Sequence, residues 1–370
     1  LDYYSCRILR FIAQKNRLFA IYVEIISNRS FKIINSEVRR LLTIHDSLNF
    51  EENDFDITAY GEVLLDMISR EEAPLKECIN FTRYFGGSPA NVLVNMQRLD
   101  NKTAFISRLG KDEFGEFLTG ILENEGVNLD CMQYDKEEAT PIIFVNKSKE
   151  TPSWLAYRGA DINLEISDEI YKKIDNSSIF FTGSFILSKN PARATALKAL
   201  EYAVENNKIF AFDPSFRANL WPEGNKGKEI IKEILSQSDF IKPSLDDAYH
   251  LFGQDHPENY LKKYHNSGAN IVILSLGKDG VLLSDCKNEP LHIPVFSEKV
   301  VDVTGAGDSF WSGFLTGILK GLPIKEAAKL GNAVAAFKIQ GVGALSSVPP
   351  LREIISYYDI QPIEGGNFNE

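Results

Sequence analysis

Hydrophobic and polar positions are grouped in alternating blocks along the chain from about residue 55 onward. Short runs rich in β-branched and aromatic residues are followed by longer stretches in which apolar residues recur every three to four positions, with glycine-bearing turns between them. This order is typical of a parallel β-sheet covered by helices. The runs predict strands at residues 57–65, 103–107, 178–182, 209–213, 239–241 and 271–275.

Two regions interrupt this alternation of strands and helices. Residues 78–84, and then 142–145 with 154–157 inside the segment 142–158, have β-type composition without a helix between them. Such strands can form a small sheet that stands off the main one and covers a site as a lid. The alternative is that they are edge strands of the main sheet.

The first 54 residues differ in composition from the rest of the chain. They contain no Gly and no Pro, and residues 1–40 carry eight Lys or Arg against three Asp or Glu. Such a segment fits a gene-prediction artefact, a genuine helical extension, or a targeting or partner-binding segment. We predict a separate extension at 1–54 and a single domain at 55–370, so that a chain beginning at Asn53 should fold and function.

Charge and cysteine content exclude several classes of protein. The 370 residues have a formal net charge of -11, from 40 Lys and Arg against 51 Asp and Glu, which does not suit a general binder of nucleic acid or anionic membranes. No apolar run reaches the roughly 18 residues that a membrane helix needs. The four cysteines are widely spaced, which argues against a zinc site or a disulfide framework and favours a reducing, cytoplasmic location.

The segment 302–310, with the sequence DVTGAGDSF, carries the strongest chemical signal. Gly305, Ala306 and Gly307 have minimal side chains and lead into an apolar-faced helix, so their N–H groups could approach an anion at the positive end of the helix. Asp308 follows directly, where its carboxylate could accept a proton from a hydroxyl that attacks a bound phosphoryl group. The alternative is that Asp308 only caps the helix.

The chain lacks the Walker A pattern and the protein-kinase motifs, so phosphate binding must use another fold. Residues 302–308 resemble the C-terminal signature of the ribokinase-like (PfkB) sugar kinases, and residues 86–91, GGSPAN, resemble their N-terminal signature. The resemblance extends over roughly residues 55–355. It implies an α/β/α sandwich with a mostly parallel sheet and a small β-sheet lid, ATP as donor, Mg²⁺ as cofactor, and a homodimer formed through the lid.

On the sugar side, the resemblance implies that Asp66, at the end of a strand, accepts hydrogen bonds from sugar hydroxyls. Residues 157–161 and 213–221 resemble segments of the fructokinase and 2-keto-3-deoxygluconate kinase branch. The resemblance implies that Arg158 and Arg217, in these segments, face the substrate or the phosphates. The alternatives are a turn residue for Asp66, a helix cap for Asn91 and structural ion pairs for the arginines. The residues assigned to the substrate are Asp66, Gly86, Gly87, Asn91, Tyr157, Arg158 and Arg217.

On the nucleotide side, the turn after the strand 271–275 resembles the phosphate-contacting turn of the family, and the helix after Pro323 would line the adenine pocket. The residues assigned to ATP are Ser275, Gly277, Gly280, Asn332 and Ala336. Where the family has an NxxE segment linked to magnesium, this chain has Ser244 and Asp247, so Asp247 is expected to act on Mg²⁺ only indirectly. A monovalent cation is expected near Asp302.

The expected activity is ATP-dependent phosphorylation of a sugar hydroxyl. D-fructose is the preferred substrate, and 2-keto-3-deoxygluconate and 5-dehydro-2-deoxygluconate are the alternatives. A non-catalytic sugar- or nucleotide-binding regulator is the alternative from another class, supported only by the changed Ser244 and Asp247 pair. An intact glycine turn with Asp308 argues against it, because a pure binding protein does not need a general base.

Overall fold

The fold is described from a computed structural model of the chain, for residues 41–148, 153–221, 225–296, 299–346, 348–358 and 360. In chain order, the strands of these residues are β1 Phe55–Tyr60, β2 Leu64–Ser69, β3 Phe81–Gly86, β4 Thr103–Gly110, β5 Asn128–Asp135, β6 Ile142–Val145, β7 Trp154–Tyr157, β8 Ser177–Gly183, β9 Ile209–Asp213, β10 Phe240–Ile241, β11 Ile271–Ser275, β12 Val281–Ser284 and β13 Leu291–Ile293.

The α-helices of the same residues alternate with most of these strands. They are α1 Ser88–Arg98, α2 Glu113–Asn124, α3 Asp168–Asp175, α4 Ser184–Leu187, α5 Ala192–Glu205, α6 Asn225–Leu235, α7 Leu245–Phe252, α8 Pro257–Asn266, α9 Ala306–Leu319, α10 Ile324–Lys338 and α11 Leu351–Tyr357. None of the helices in the described ranges is both long enough and apolar enough to cross a membrane.

The large sheet has the strand order β13-β12-β11-β10-β9-β8-β1-β4-β5 within the described chain. Its strands are parallel from β5 through β11, and β12 and β13 add antiparallel pairs at one edge. Strands β8 and β9 are buried at every position, so both faces of the sheet are covered. The predicted α/β class and mostly parallel sheet are confirmed, and the strands predicted at 209–213 and 271–275 have those bounds.

The single strand predicted at 57–65 is wrong. The chain leaves the large sheet after Tyr60 and begins β2, in a different sheet, at Leu64. Gly61 lies at this change of direction, where a Cβ would lie 2.6 Å from Pro89 Cγ at the start of α1, so close packing favours glycine here. Tyr60, Val63 and Leu64 are hydrophobic and buried, and Glu62 is buried with them, so the sequence around Gly61 resembles one continuous strand.

The second sheet, called the small sheet below, has the order β3-β2-β6-β7. Strand β2 pairs antiparallel with β3 and parallel with β6, and β6 pairs antiparallel with β7. The strands predicted at 142–145 and 154–157 are confirmed. The strand predicted at 78–84 lies instead at Phe81–Gly86, because residues Leu75–Glu77 form a short 3₁₀ helix before it.

Residues 41–54 pack onto the domain that follows them. Leu42, Ile44 and Leu48 are buried in the main hydrophobic core. The Ile44 N–H donates to Asp285 Oδ2 at 2.8 Å, and the Ile324 N–H donates to the carbonyl of Asp46 at 2.9 Å. The domain boundary predicted at residue 55 is therefore wrong, and the segment 41–54 belongs to the packed unit. The predicted extension over 1–40 lies outside the described residues.

Candidate active site

Asp308 lies in the first turn of α9, at the carboxyl edge of the large sheet. Gly305 precedes the helix with φ of +75°, and a Cβ there would lie 3.0 Å from the Cα of Ala344, so this position favours glycine for both its backbone angle and its close packing. The N–H of Ala306 donates to the carbonyl of Val303 at 3.1 Å. The Ala306 N–H is thus engaged within the turn, and the anion contact of Gly305 and Gly307 stays a prediction.

The Asp308 carboxylate is held by two side chains of α1. The Ser88 hydroxyl donates to Oδ1 at 2.7 Å, and Asn91 Nδ2 donates to Oδ2 at 2.9 Å. Burial raises the pKa of Asp308, and the two hydrogen bonds and the Lys242 charge oppose that rise. Asn91, predicted to bind the sugar, thus orients this carboxylate. Ser88 had no predicted role, although it stands inside the GGSPAN signature.

Lys242 adds a buried positive charge beside the glycine turn. Its Nζ lies 3.3 Å from Asp213 Oδ2, and Trp311 Nε1 donates to the same oxygen at 2.8 Å. A Cβ on Gly307 would lie 3.2 Å from the Lys242 ammonium, so the charge sits against the turn. Sequence reasoning assigned no role to Lys242. The available signal was a lysine that directly follows the buried strand β10.

Asp66 reaches the same site from strand β2 of the small sheet. A Cβ on Gly86 would lie 2.3 Å from Asp66 Oδ2, and Gly87 has φ of +103° with its Cβ position 2.5 Å from the Glu62 carbonyl. Burial, followed by the charge of Asp308, raises the pKa of Asp66 to about 7. The carboxylate has no hydrogen-bond partner in the described chain. The structure therefore brings Asp66, Gly86, Gly87 and Asp308 together.

Arg158 was expected to face the substrate or the phosphates, and the structure places it in an ion pair instead. Its side chain is 2% exposed and pairs with Asp161 through Nε. Nη1 donates to the Phe185 carbonyl at 3.1 Å and to Ser188 Oγ at 2.7 Å, and only Nη2 lacks a partner in the described chain. Tyr157, the residue before it, lies 58% exposed at the end of β7. Neither side chain is a free group aimed at a phosphate.

Asp247 and Arg217 form a pair at the start of α7. Arg217 Nη1 lies 2.8 Å from Asp247 Oδ1, and Oδ2 accepts from the N–H and the hydroxyl of Ser244 at 2.8 and 2.7 Å. Ser244 and Asp247 thus form a capping box. Both carboxylate oxygens are therefore engaged within the protein, and the expected indirect link to magnesium stays a prediction. No group of three or more His, Cys, Asp or Glu in the described chain could hold a metal ion.

The residues expected to contact ATP lie on β11, the turn after it and α10. Ser275 ends β11, and Gly277 has φ of +63° with open space around its Cβ position. Gly280 is required by packing, because its Cβ would lie 2.1 Å from the Ile293 carbonyl. Asn332 and Ala336 are buried one turn apart on α10, and Asn332 Nδ2 donates to the Pro294 carbonyl. Their contact with a nucleotide stays a prediction.

Glu62 is a further acidic group that sequence reasoning did not single out. It is buried between β1 and β2, and its Oε2 has no hydrogen-bond partner among the described residues. Burial raises its pKa to about 8, while the charge of Arg158 opposes the rise and those of Asp161 and Asp308 add to it. Glu62 gave no separate signal in the sequence, where Asp66 was predicted to end a strand; the structure places Asp66 inside β2 instead.

Similar proteins cover almost the whole packed unit. The pattern of the pfkB family carbohydrate kinases matches residues 54–351. The ATP-dependent 6-phosphofructokinase of Thermoanaerobacterium thermosaccharolyticum is 37% identical over 323 residues, covering 87% of this chain and 100% of that protein. The 5-dehydro-2-deoxygluconokinase 1 of Bacillus cereus is 31% identical over 323 residues, with coverages of 84% and 97%.

A solved structure shows the same relationship. The fructokinase of Halothermothrix orenii superposes with a TM-score of 0.70 at 52% sequence identity, covering 77% of this chain and 100% of that one. These relatives carry different substrate names and share the kinase class. Family membership explains why the two glycine signatures, the large parallel sheet and the small sheet occur in one chain. The chain belongs to the pfkB family of carbohydrate kinases, which are phosphotransferases.

Proposed function

We propose that this kinase transfers the γ-phosphoryl group of ATP to a hydroxyl of D-fructose. The observation that carries the proposal is the position of Asp308, which is fixed by two hydrogen bonds beside a glycine turn and shares its site with the unpartnered Asp66. One carboxylate is available to hold sugar hydroxyls and the other to accept a proton. ATP is the donor because kinases of this family use it, and the Thermoanaerobacterium relative is named for it.

In this proposal Asp66 accepts hydrogen bonds from the sugar and presents one hydroxyl to Asp308. Asp308 takes the proton of that hydroxyl as its oxygen attacks the γ-phosphorus. The N–H groups of Gly305 and Gly307, with the Lys242 ammonium, stabilise the negative charge on the transferred group. Mg²⁺ bound to the ATP phosphates would neutralise part of their negative charge. The described residues contain no group of three or more His, Cys, Asp or Glu ligands, so such an ion would be held mainly by the phosphates and water.

The pairing of the basic side chains favours a neutral sugar over a sugar acid. Arg158 is paired with Asp161, Arg217 with Asp247 and Lys242 with Asp213. A substrate carboxylate would also approach Asp66 and Asp308, which repel it unless a free cation intervenes. The 52% identity to a fructokinase supports the same choice.

Fructose 6-phosphate is the second candidate, because the Thermoanaerobacterium relative is named a 6-phosphofructokinase. Arg217 is the cation best placed to serve a charged substrate, since its side chain is 39% exposed despite its pairing. Sugar acids remain the third choice.

The test is kcat/KM with ATP for D-fructose, fructose 6-phosphate, 2-keto-3-deoxygluconate and 5-dehydro-2-deoxygluconate. We expect fructose to lead by about tenfold or more. A charged substrate that leads by that margin would replace fructose while the kinase mechanism stands. If none of the sugars is phosphorylated and ATP still binds, the regulator interpretation takes its place.

We also propose that two copies associate through the small sheet. Leu155 and Tyr157 are 51% and 58% exposed and, two residues apart on β7, lie on one face of the strand. Light scattering of the full chain and of a Leu155→Asp variant tests this: a monomeric parent, or a variant that stays dimeric, would contradict it.

A further inference from the structure

Lys338 is the last residue of α10 and is fully buried. Its relative exposure is 0%, and its Nζ has no hydrogen-bond partner within the described chain. A buried ammonium without a partner is strongly unfavourable unless nearby negative charge compensates it. The position of such a group therefore needs a functional or electrostatic reason.

The compensating charges are those of the active-site turn. The carboxylates of Asp302 and Asp308 both favour the charged form of Lys338, against burial, which lowers its pKa. The chain around it is tied to the same turn, since the N–H groups of Val301 and Asp302 donate to the Ile339 carbonyl at 2.7 and 3.2 Å. Lys338 thus stands directly behind the segment that leads into the glycine turn.

The surroundings of Asp302 do not fit the monovalent cation expected there. Asp302 Oδ1 accepts from the Thr304 N–H at 2.9 Å, and Oδ2 accepts from the Gly343 N–H at 2.8 Å. The Lys338 carbonyl accepts from the Gly341 N–H at 3.1 Å and from Ser346 Oγ at 3.0 Å. These oxygens already have donors. A second cation would also be repelled by the Lys338 ammonium, since like charges in a buried site interact strongly.

We propose that the Lys338 ammonium is a built-in cation that holds the turn 302–307 in its phosphate-binding form, so that the enzyme needs no potassium or sodium ion. Lys338 is a positioning residue that acts through Asp302 and the turn. This inference rests on the proposed role of that turn in phosphoryl transfer, and it replaces the expectation of a bound monovalent cation.

The first experiment uses the full-length parent chain and needs no variant. Turnover of fructose and ATP is measured while KCl or NaCl replaces tetramethylammonium chloride at constant ionic strength. We expect kcat and the KM for ATP to change by less than about threefold, and the thermal midpoint to respond equally to the three salts. Saturable activation above that limit by K⁺ or Na⁺, or a midpoint raised by one of them alone, would overturn the proposal.

The second experiment creates the need for a cation. Lys338→Met keeps an unbranched apolar chain and removes the charge, so we expect kcat to fall by about tenfold or more and to recover in part with K⁺ or NH₄⁺. Lys329→Met, on a partly exposed lysine of the same helix, is the matched control and should behave as the parent. Parent-like turnover of Lys338→Met, or a loss that no cation restores, would reduce Lys338 to a packing residue.

Each failure has its own signature in these measurements. If Lys338→Met does not fold, the salt response of the parent decides. If the parent phosphorylates no sugar, the proposed function fails, and the thermal midpoint still reports whether K⁺ binds.

Discussion

The two carboxylates of the candidate active site, Asp308 and Asp66, differ in the side chains that hold them. Asp308, in α9 of the part of the domain built on the large sheet (the body), accepts hydrogen bonds from Ser88 and Asn91. The neighbouring Asp213 accepts a hydrogen bond from Trp311 and forms an ion pair with Lys242. Burial also raises the pKa of Asp66, on the small sheet, but this carboxylate has no hydrogen-bond partner in the described chain. The difference indicates that the group expected to react is oriented before substrate arrives, whereas the group expected to bind keeps its acceptor capacity for the ligand.

The largest effect should come from removing Asp308, the proposed general base. Asp308→Asn keeps the size of the side chain, and the Asn91 amide can turn over to keep a hydrogen bond to it. We expect kcat to fall by about 10² to 10⁴, with little change in ATP affinity or thermal midpoint. Asp246→Asn, on an exposed residue in the first turn of α7, is the control. A folded Asp308→Asn enzyme with nearly unchanged kcat would remove Asp308 from the mechanism.

The next largest effect should come from removing the Lys242 ammonium, which lies beside the glycine turn that precedes Asp308. Lys242→Met removes the ammonium beside Gly307, and we expect kcat to fall by about 10² while the KM for fructose stays close to that of the parent. The variant leaves Asp213 buried without its ion pair, so the double variant Asp213→Asn, Lys242→Met separates lost catalysis from lost stability. Lys136→Met, on an exposed lysine, is the control. A rise in KM alone would assign Lys242 to sugar binding.

A smaller effect, on the KM for the sugar rather than on kcat, is expected from a change of Asp66. Asp66→Asn should raise the KM for fructose by about tenfold and change kcat less, because it weakens binding rather than proton transfer. The parent KM should also rise as the pH falls below about 7, where Asp66 takes up a proton. The variant should lose that dependence, and Asp54→Asn should keep it. An equal fall in kcat and kcat/KM would show that Asp66 acts in the transition state. The proposed difference in role between Asp66 and Asp308 would then be wrong.

The smallest effect concerns stability rather than turnover. The pKa of Glu62 is about 8 in the folded chain against an ordinary value of 4.5, so between these values the folded state holds a proton that the unfolded chain has released. The free energy of unfolding should therefore fall as the pH rises from about 5 to 8. Glu62→Gln should make denaturant midpoints less dependent on pH over this interval, and Glu52→Gln, on an exposed residue, should not. A steeper dependence in Glu62→Gln would contradict this assignment.

Local signals in the sequence predicted most of the fold and drew attention to the residues at the center of the candidate site. Strands such as 209–213 are dense apolar runs, and the glycine turn before Asp308 is a contiguous motif that needs no distant partner to be recognised. The change of sheet at Gly61 escaped prediction because the residues around it are buried, and the close packing against Pro89 exists only in the folded chain. The packing of residues 41–54 was missed for the same reason, since Asp285 and Ile324 are far away in sequence.

The roles of charged residues were harder to predict than their identity. Arg158 and Arg217 are visible in the sequence, but nothing there shows that Asp161 and Asp247 pair with them. Lys242 was passed over because a single buried lysine has no motif, and its significance comes from Asp213 and Gly307. Whether a charge is free or paired depends on the tertiary structure, and the choice between a neutral and an acidic substrate depends on that distinction.

The short connection between the two sheets has a consequence for how ATP is protected from water. Only residues 61–63 separate β1, which belongs to the body, from β2, which carries Asp66. A sugar bound by Asp66 and facing Asp308, as proposed, would therefore link the small sheet to the large sheet, and a lone water molecule offers fewer hydroxyl groups for such a link. The same arrangement that positions the sugar should thus keep futile hydrolysis of ATP slow whenever the sugar is absent.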